Sequence, residues 1–75
     1  MYLIEMLATG MKYYVVINEI RSHGIEVQEV HIGGVHSRGD NFWLYQFNVI
    51  AKDDAEHNLI KLLFNDCIHN TTVIA

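Results

Sequence analysis

Residues 41–52, NFWLYQFNVIAK, alternate between two faces more regularly than any other segment of the chain. One face has no polar residue and is formed by Trp43, Tyr45, Phe47, Val49 and Ala51. The other face mixes apolar and amide side chains and is formed by Phe42, Leu44, Gln46, Asn48 and Ile50. Alternation with aromatic and β-branched residues is typical of a β-strand, and a wholly apolar face has to be covered. The pattern therefore predicts a central strand of a sheet.

The first 24 residues predict a strand followed by a helix. Residues 2–8 alternate and end at Thr9-Gly10, where the Thr hydroxyl is suited to accept a hydrogen bond at a helix start. Residues 11–23 place apolar side chains at helical spacing, and Gly24 follows where a left-handed C-cap would stand. The run at 13–17, YYVVI, has a local preference for strand. The two helix ends decide the prediction in favour of a helix.

The rest of the chain predicts a hairpin, a helix and a last strand. Residues 25–35 predict a strand that a turn-rich link at 37–41 joins to the central strand. Residues 55–69 predict a second helix with its apolar residues on one face. Residues 71–75 predict a short final strand.

This element order predicts one domain over residues 1–75 with an α+β fold. The order β-α-β-β-α-β with right-handed crossovers gives a ferredoxin-like arrangement, in which a four-stranded antiparallel sheet has both helices on one face. The other sheet face stays open and is half apolar, so we expect it to mediate self-association as a homodimer. The predicted self-association face consists of Leu3, Glu5, Leu7, Phe42, Leu44, Gln46, Asn48 and Ile50.

The charge of the chain argues against nucleic acid and for a protein partner. Five scattered basic residues stand against nine acidic ones, giving a formal net charge of −4, so no basic patch is available to bind phosphates. An acidic surface suits a partner with a basic surface. The predicted partner-binding residues gather at the two ends of the central strand and are Asp40, Asp53, Asp54 and Glu56. Asp53 and Glu56 also resemble a reciprocal capping pair at the start of the second helix.

The cysteine content, the N-terminal segment and the length of the apolar runs predict a soluble cytoplasmic protein. Cys67 is the only cysteine, so the chain has no internal disulfide and suits a reducing compartment. The N-terminal segment has no basic lead and does not read as a signal peptide. No apolar run reaches the ~18–20 residues that a membrane span needs.

Candidate chemistry is sparse. His31, His36 and Asp40 could approach a metal ion if the hairpin folds back, although solvated turn histidines are the simpler interpretation. Cys67 and His69 suggest a nucleophile and a base, but Cys67 lies on the apolar stripe and is expected to pack as a small hydrophobe. No nucleophile, base and orienting group can be assembled from adjacent elements. We expect a non-enzymatic protein with no cofactor and no metal.

Two resemblances extend these expectations. Thr9-Gly10, an amphipathic helix and then the run at 23–27, HGIEV, resemble the start of ACT domains, in which a glycine after the first strand opens the helix. This resemblance implies a metabolite-sensing domain with its effector site at a dimer interface near Thr9-Gly10. The Asp-x-Pro-Gly turn of that family has no counterpart, because Thr9 precedes Gly10 and the chain has no proline.

In size and charge the chain is similar to phage-encoded inhibitors of host defence, anti-CRISPR proteins among them. The first hypothesis is therefore a small acidic interaction module that binds and blocks or modulates a partner protein. The alternative is an ACT-like regulatory domain that senses a small metabolite.

Overall fold

The computed structural model describes residues 1–29, 35–38 and 42–74, and for residues 35–38 and 42–44 it describes the backbone alone. In chain order the elements are β1 (Tyr2–Thr9), α1 (Gly10–Ser22), β2 (Glu26–Glu29), β3 (Val35–Arg38), β4 (Phe42–Ala51), α2 (Asp54–Phe64), a 3₁₀ turn (Asn65–Cys67) and β5 (Ile68–Val73).

The five strands occupy four positions across one antiparallel sheet. The order is β2-β4-β1-β5, and β3 pairs with the same side of β4 as β2 does. β4 is therefore a central strand, as its alternation predicts, and β1 is the other central strand. The described residues form an α+β architecture with a four-position antiparallel sheet and two α-helices.

The region before β4 differs from its prediction. The single strand predicted at 25–35 is divided into β2 and β3, because Glu29 pairs with Phe47 of β4 and Val35 pairs with Tyr45, so that a separation of six residues faces a separation of two. That excess of chain on one side cannot be absorbed by a continuous ladder. The turn predicted at 37–41 is wrong at its first two residues, which belong to β3. Its last three residues, like residues 30–34, lie outside the described part of the chain.

The phase predicted for the central strand is confirmed. Phe47, Val49 and Ala51 of β4 have no exposed surface, and Tyr45 is half-buried against the same core. The register pairs these residues with the alternate residues of β1 that are also buried, namely Ile4, Met6 and Ala8. Trp43 is the remaining residue of the predicted apolar face, and the structure describes its backbone but not its side chain.

α1 confirms the helix predicted at 11–23. Its inward side chains Tyr13, Val16, Ile17 and Ile20 are buried in the core. Their burial outweighs the strand preference of the YYVVI run, since each large apolar side chain gains roughly 1.5–3 kcal/mol from burial while propensity differences amount to tenths. Gly24 ends the helix with φ of 74°, and its N–H donates to the Arg21 carbonyl at 3.0 Å.

α2 is shorter than predicted. The helix predicted at 55–69 ends at Phe64, and β5 begins at Ile68, three residues before the predicted strand. The reason is a long-range pairing: Ile68 lies opposite Met6 of β1 and packs against the core. The chain must leave the helix before that position, and the 3₁₀ turn makes the transition.

Both helices cover the same face of the sheet. Ile60 of α2 joins the buried residues of α1 in a single hydrophobic core with the inward residues of β1 and β4. The residues that face away from this core are half-buried by their neighbours and no described helix packs on them; those with described side chains are Leu3, Glu5, Leu7, Gln46, Asn48 and Ile50. None of the helices that the structure describes has the length and apolar character to cross a membrane.

Candidate functional site

Three of the four predicted partner-binding residues meet at the start of α2. Asp53 is the N-cap in extended conformation, and its carboxylate accepts the Glu56 N–H at 2.9 Å. The Glu56 carboxylate accepts the Lys52 N–H at 2.9 Å and lies 3.6 Å from Lys52 Nζ. The predicted capping pair is thus confirmed in its first half, whereas the returning bond reaches Lys52 instead of Asp53.

The third carboxylate at this end, that of Asp54, is tied to β1. The Tyr2 ring stacks on His57 with centroids 4.2 Å apart, and the Tyr2 hydroxyl donates a hydrogen bond to Asp54. This hydrogen bond is the main reason that the pKa of Tyr2 lies above its ordinary value. The contact joins residues 52 positions apart, so local sequence patterns contain no signal for it.

The α2 N-terminus therefore presents an acidic cluster, defined here as Asp53, Asp54 and Glu56. Asp53 and Asp54 are exposed and Glu56 is half-buried. Asp53 and Glu56 stabilise the helix start, which leaves Asp54 as the carboxylate with no capping role. Asp40, the fourth predicted residue, lies outside the described residues.

The open sheet face is chemically mixed. The register places Glu5, Asn48, Gln28 and Asn70 in one polar row that crosses the strands β5, β1, β4 and β2. Leu3 and Ile50 form an apolar pair in the next row. The predicted self-association residues Phe42 and Leu44 belong to β4, and their side chains are not described.

Within this row, Asn48 Oδ1 is buried and has no hydrogen-bond partner among the residues that the structure describes. A buried acceptor of this kind costs about 1–3 kcal/mol when it is left without a donor. With the amide and carboxylate groups beside it, the row offers both hydrogen-bond donors and acceptors to a molecule that binds this face.

A polar contact anchors α1 to β2. The hydroxyl of Tyr13 donates to Glu29 Oε1 at 2.9 Å, and Arg21 Nη2 lies 3.4 Å from Glu29 Oε2. The Tyr13 ring also contacts Tyr45 and Phe47 with centroids 5.1 and 5.5 Å apart. Burial of the hydroxyl, together with its bond to Glu29, raises the pKa of Tyr13 to about 12.

Cys67 packs in the core as predicted. It is 4% exposed and belongs to the hydrophobic cluster. Burial, reinforced by the neighbouring Asp66 carboxylate, raises the pKa of its thiol. The nearby Lys12 Nζ lies 2.5 Å from Asp66 Oδ2, in an ion pair that links the start of α1 to the chain after α2. A raised thiol pKa disfavours the thiolate that a nucleophile requires.

The histidine hypothesis is not tested by the described residues. The side chains of His31, His36 and Asp40 are outside the description. In the ranges that are described, no group of three or more His, Cys, Asp or Glu residues is arranged to hold a metal ion.

Thr9 and Gly10, the junction that resembles an ACT domain, have a packing role. The Thr9 side chain makes no capping hydrogen bond, so the expected hydroxyl cap is wrong. A Cβ atom at Gly10 would lie 3.3 Å from Tyr45 Cε2, which is closer than most such contacts. Glycine at this position allows α1 to begin close to the β4 aromatic ring.

Large apolar side chains are exposed on the helical side of the molecule and at the chain ends. Among the described residues, those at least about two-fifths exposed are Met1, Met11, Tyr14, Val15, Leu62, Leu63, Val73 and Ile74. None of them belongs to the predicted self-association face on the sheet. The outward apolar residues of α1 were not predicted, because the helical spacing of residues 11–23 identifies only the stripe that faces the core.

No protein-family model, curated protein or solved structure matches the chain.

Proposed function

We propose that the chain is a non-enzymatic protein-interaction module that self-associates and blocks or modulates a partner protein in the cytoplasm. Phage-encoded inhibitors of host defence, anti-CRISPR proteins among them, are the proposed functional class. The proposed fold type is ferredoxin-like. Its support is the central position of β1 and β4 together with both helices on one side of the sheet.

The observation that carries the proposal is the exposure of large apolar side chains that have no role in the core. Met11 is 90% exposed and Leu62 is 82% exposed. A chain of 75 residues buries only a small core, and a side chain that contributes nothing to that core is better explained by a second surface. Among the described residues three surfaces are available to a second copy: the predicted sheet face, the outer side of α1, and the outer side of α2 at Leu62.

The acidic cluster is the proposed contact for a basic partner surface. Asp54 is the exposed residue best placed to change partners, because the hydrogen bond that it accepts from the half-buried Tyr2 is not needed to cap α2. Rim charges of this kind chiefly control association rate and salt dependence. Binding should therefore weaken as ionic strength rises.

Affinity capture tests the partner contact. The immobilised wild-type chain is compared with Asp54→Lys and with Asp66→Lys, an equal change of charge on an exposed aspartate at the other end of α2. A protein retained by wild type and Asp66→Lys but lost by Asp54→Lys supports the proposal. Equal retention by all three removes the electrostatic argument. The inhibitor class is tested by expressing the chain in CRISPR-immune bacteria, where restored plating of the targeted phage is the expected result.

A thermal-shift screen separates this proposal from the metabolite-sensing alternative. An amino acid or nucleotide present at a hundred times its dissociation constant adds about 2.7 kcal/mol to folding stability. For a domain of this size that is a rise in Tm of more than about 10 °C. The interaction module predicts a flat screen, and a shift of that size would instead support an ACT-like sensor.

A further inference from the structure

α1 has a second apolar stripe on the side that faces away from the sheet. Met11 is 90% exposed, Tyr14 is 65% exposed and Val15 is 66% exposed. A helix that is apolar on both sides is normally covered on both sides. A tyrosine side chain alone has about 150–250 Å² of surface, so this stripe leaves a few hundred Å² of apolar surface exposed. Patches of that size mark interaction sites.

We infer that two copies of the chain meet through this stripe with their α1 helices antiparallel. The inference rests on the self-association part of the proposed function and names its surface. It leaves the sheet face and the acidic cluster free for the partner protein.

Charge favours α1 as the meeting surface over the sheet face and over α2, which carries Asp54 and Glu56 against Lys61 alone. The chain has a net charge of −4, but α1 carries two basic residues, Lys12 and Arg21, against one acidic residue, Glu19. The described side chains of the open sheet face include Glu5 and Glu26 and no lysine or arginine. Two copies that approach through α1 avoid the repulsion that two acidic surfaces produce.

The flanks of the stripe are complementary in an antiparallel pair. Lys12 and Glu19 are seven residues apart, which places them on one side of the stripe two turns from each other. In an antiparallel pair related by a two-fold axis, equivalent flanks face each other. Lys12 then lies opposite Glu19 of the partner subunit, and the contact occurs twice.

The opposite flank has the same property. Tyr14 and Arg21 are also seven residues apart, so the Arg21 guanidinium can lie over the ring of Tyr14 of the partner subunit. The same register packs Val15 against Asn18 of the partner subunit. Ser22, which is exposed, follows Asn18 one turn further along the stripe. Both flanks and the centre are thus consistent with one register.

The pairs that Lys12, Glu19 and Arg21 make within one copy do not prevent this arrangement. Lys12 is 45% exposed in its contact with Asp66, Glu19 is 51% exposed where it lies 3.5 Å from His23, and Arg21 is 46% exposed where it lies 3.4 Å from Glu29. Exposed ion pairs contribute little to stability, so exchanging them for contacts between copies has a small cost.

The expected affinity is modest. α1 has 13 residues and is therefore about 20 Å long, and a helix pair of this length covers less than the ~800 Å² per partner of a standard interface. We expect a dissociation constant of roughly 10–100 μM, as is usual for small interfaces.

Analytical ultracentrifugation of the full chain from about 5 μM to about 1 mM tests the inference. Val15→Glu places a charge at the centre of the stripe on an exposed side chain, so folding is retained and dissociation should increase tenfold or more. Leu3→Glu on the sheet face is the comparison variant and should leave the dimer intact. Urea unfolding confirms that both variants are folded.

A charge exchange tests the register. Lys12→Glu puts like charges opposite each other and should weaken the dimer, and the double variant K12E/E19K should restore it. Asp66→Asn controls for the lost contact between Lys12 and Asp66 and should leave the dimer unchanged.

Each outcome of these measurements supports or overturns a defined part of the inference. A wild-type chain that stays monomeric at 1 mM overturns the inference together with the self-association it rests on, whereas partner capture is judged separately by Asp54→Lys. A dimer that Leu3→Glu dissociates and Val15→Glu does not keeps the proposed self-association and overturns the α1 surface. Loss of the dimer in Val15→Glu without restoration by the double variant overturns the antiparallel register.

Discussion

Alkaline pH should reverse the order of stability between the wild-type chain and Tyr13→Phe. The raised pKa of Tyr13, about 12 against an ordinary value near 10, means that the folded state prefers the protonated hydroxyl. Its contribution to stability is fully present below pH 10 and is lost as pH rises from 10 to 12. A pKa raised this far corresponds to a loss of roughly 2–3 kcal/mol when it is complete.

Two effects of the substitution have opposite signs. Below pH 9, Tyr13→Phe loses the 2.9 Å bond to Glu29 and should be less stable by about 1–2 kcal/mol, because the acceptor is charged. The ring contacts with Tyr45 and Phe47 remain. By pH 11 the wild-type chain has lost roughly 1–2 kcal/mol of folding stability from this one group, whereas phenylalanine has nothing to ionise. The two stability curves should therefore cross near pH 11.

Urea unfolding of both proteins at pH 8, 9.5, 10.5 and 11 measures the difference in their unfolding free energies. The effects of the other titrating groups cancel in this difference, because both chains contain those groups. Tyr14→Phe removes an exposed hydroxyl from the same helix and controls for the loss of a tyrosine. A gap between wild type and Tyr13→Phe that stays constant from pH 8 to pH 11 would refute the burial of the hydroxyl and its bond to Glu29.

Three further predictions concern local structure. Gly24→Ala should destabilise the chain by about 1–2 kcal/mol in urea unfolding through the left-handed φ of 74° alone, since a Cβ there meets nothing within 4 Å; Gly24→Asn should cost less. Asp53→Ala should cost about 0.5–2 kcal/mol by removing the α2 cap, whereas Asn should retain most of it. Cys67 should react with a thiol reagent far more slowly than in the urea-unfolded chain at the same pH, because burial protects it and raises its pKa; equal rates would contradict its place in the core.

The features that could be predicted from the sequence are those with a local cause. The alternation in β4 fixes which side is buried, because shifting the pairing by one residue would expose Phe47 and Val49. The C-terminal end of α1 has a similarly local cause, since Gly24 supplies the one backbone conformation that most residues avoid. Both predictions were possible without knowledge of any distant contact.

The errors arose where distant segments determine the structure. The helix predicted to reach residue 69 ends at Phe64, because Ile68 pairs with Met6 of β1 as a strand residue. The sequence around Phe64 contains no local signal for this distant pairing. The acidic cluster was predicted from its residues, but its tie to Tyr2 depends on a contact between opposite ends of the chain.

The outer side of α1 is the clearest case in which local preference and fold disagree. Tyr14 and Val15 have weaker helix propensity than alanine, glutamate or lysine, and as exposed residues they add no core contact that would compensate. A chain selected only for folding as a monomer would be more stable and more soluble with charged residues at both positions. The buried stripe explains why this segment is helical. It does not explain why Tyr14 and Val15, on the exposed side, are apolar. The surface that we propose between two copies explains both the apolar stripe and the oppositely charged residues on its flank.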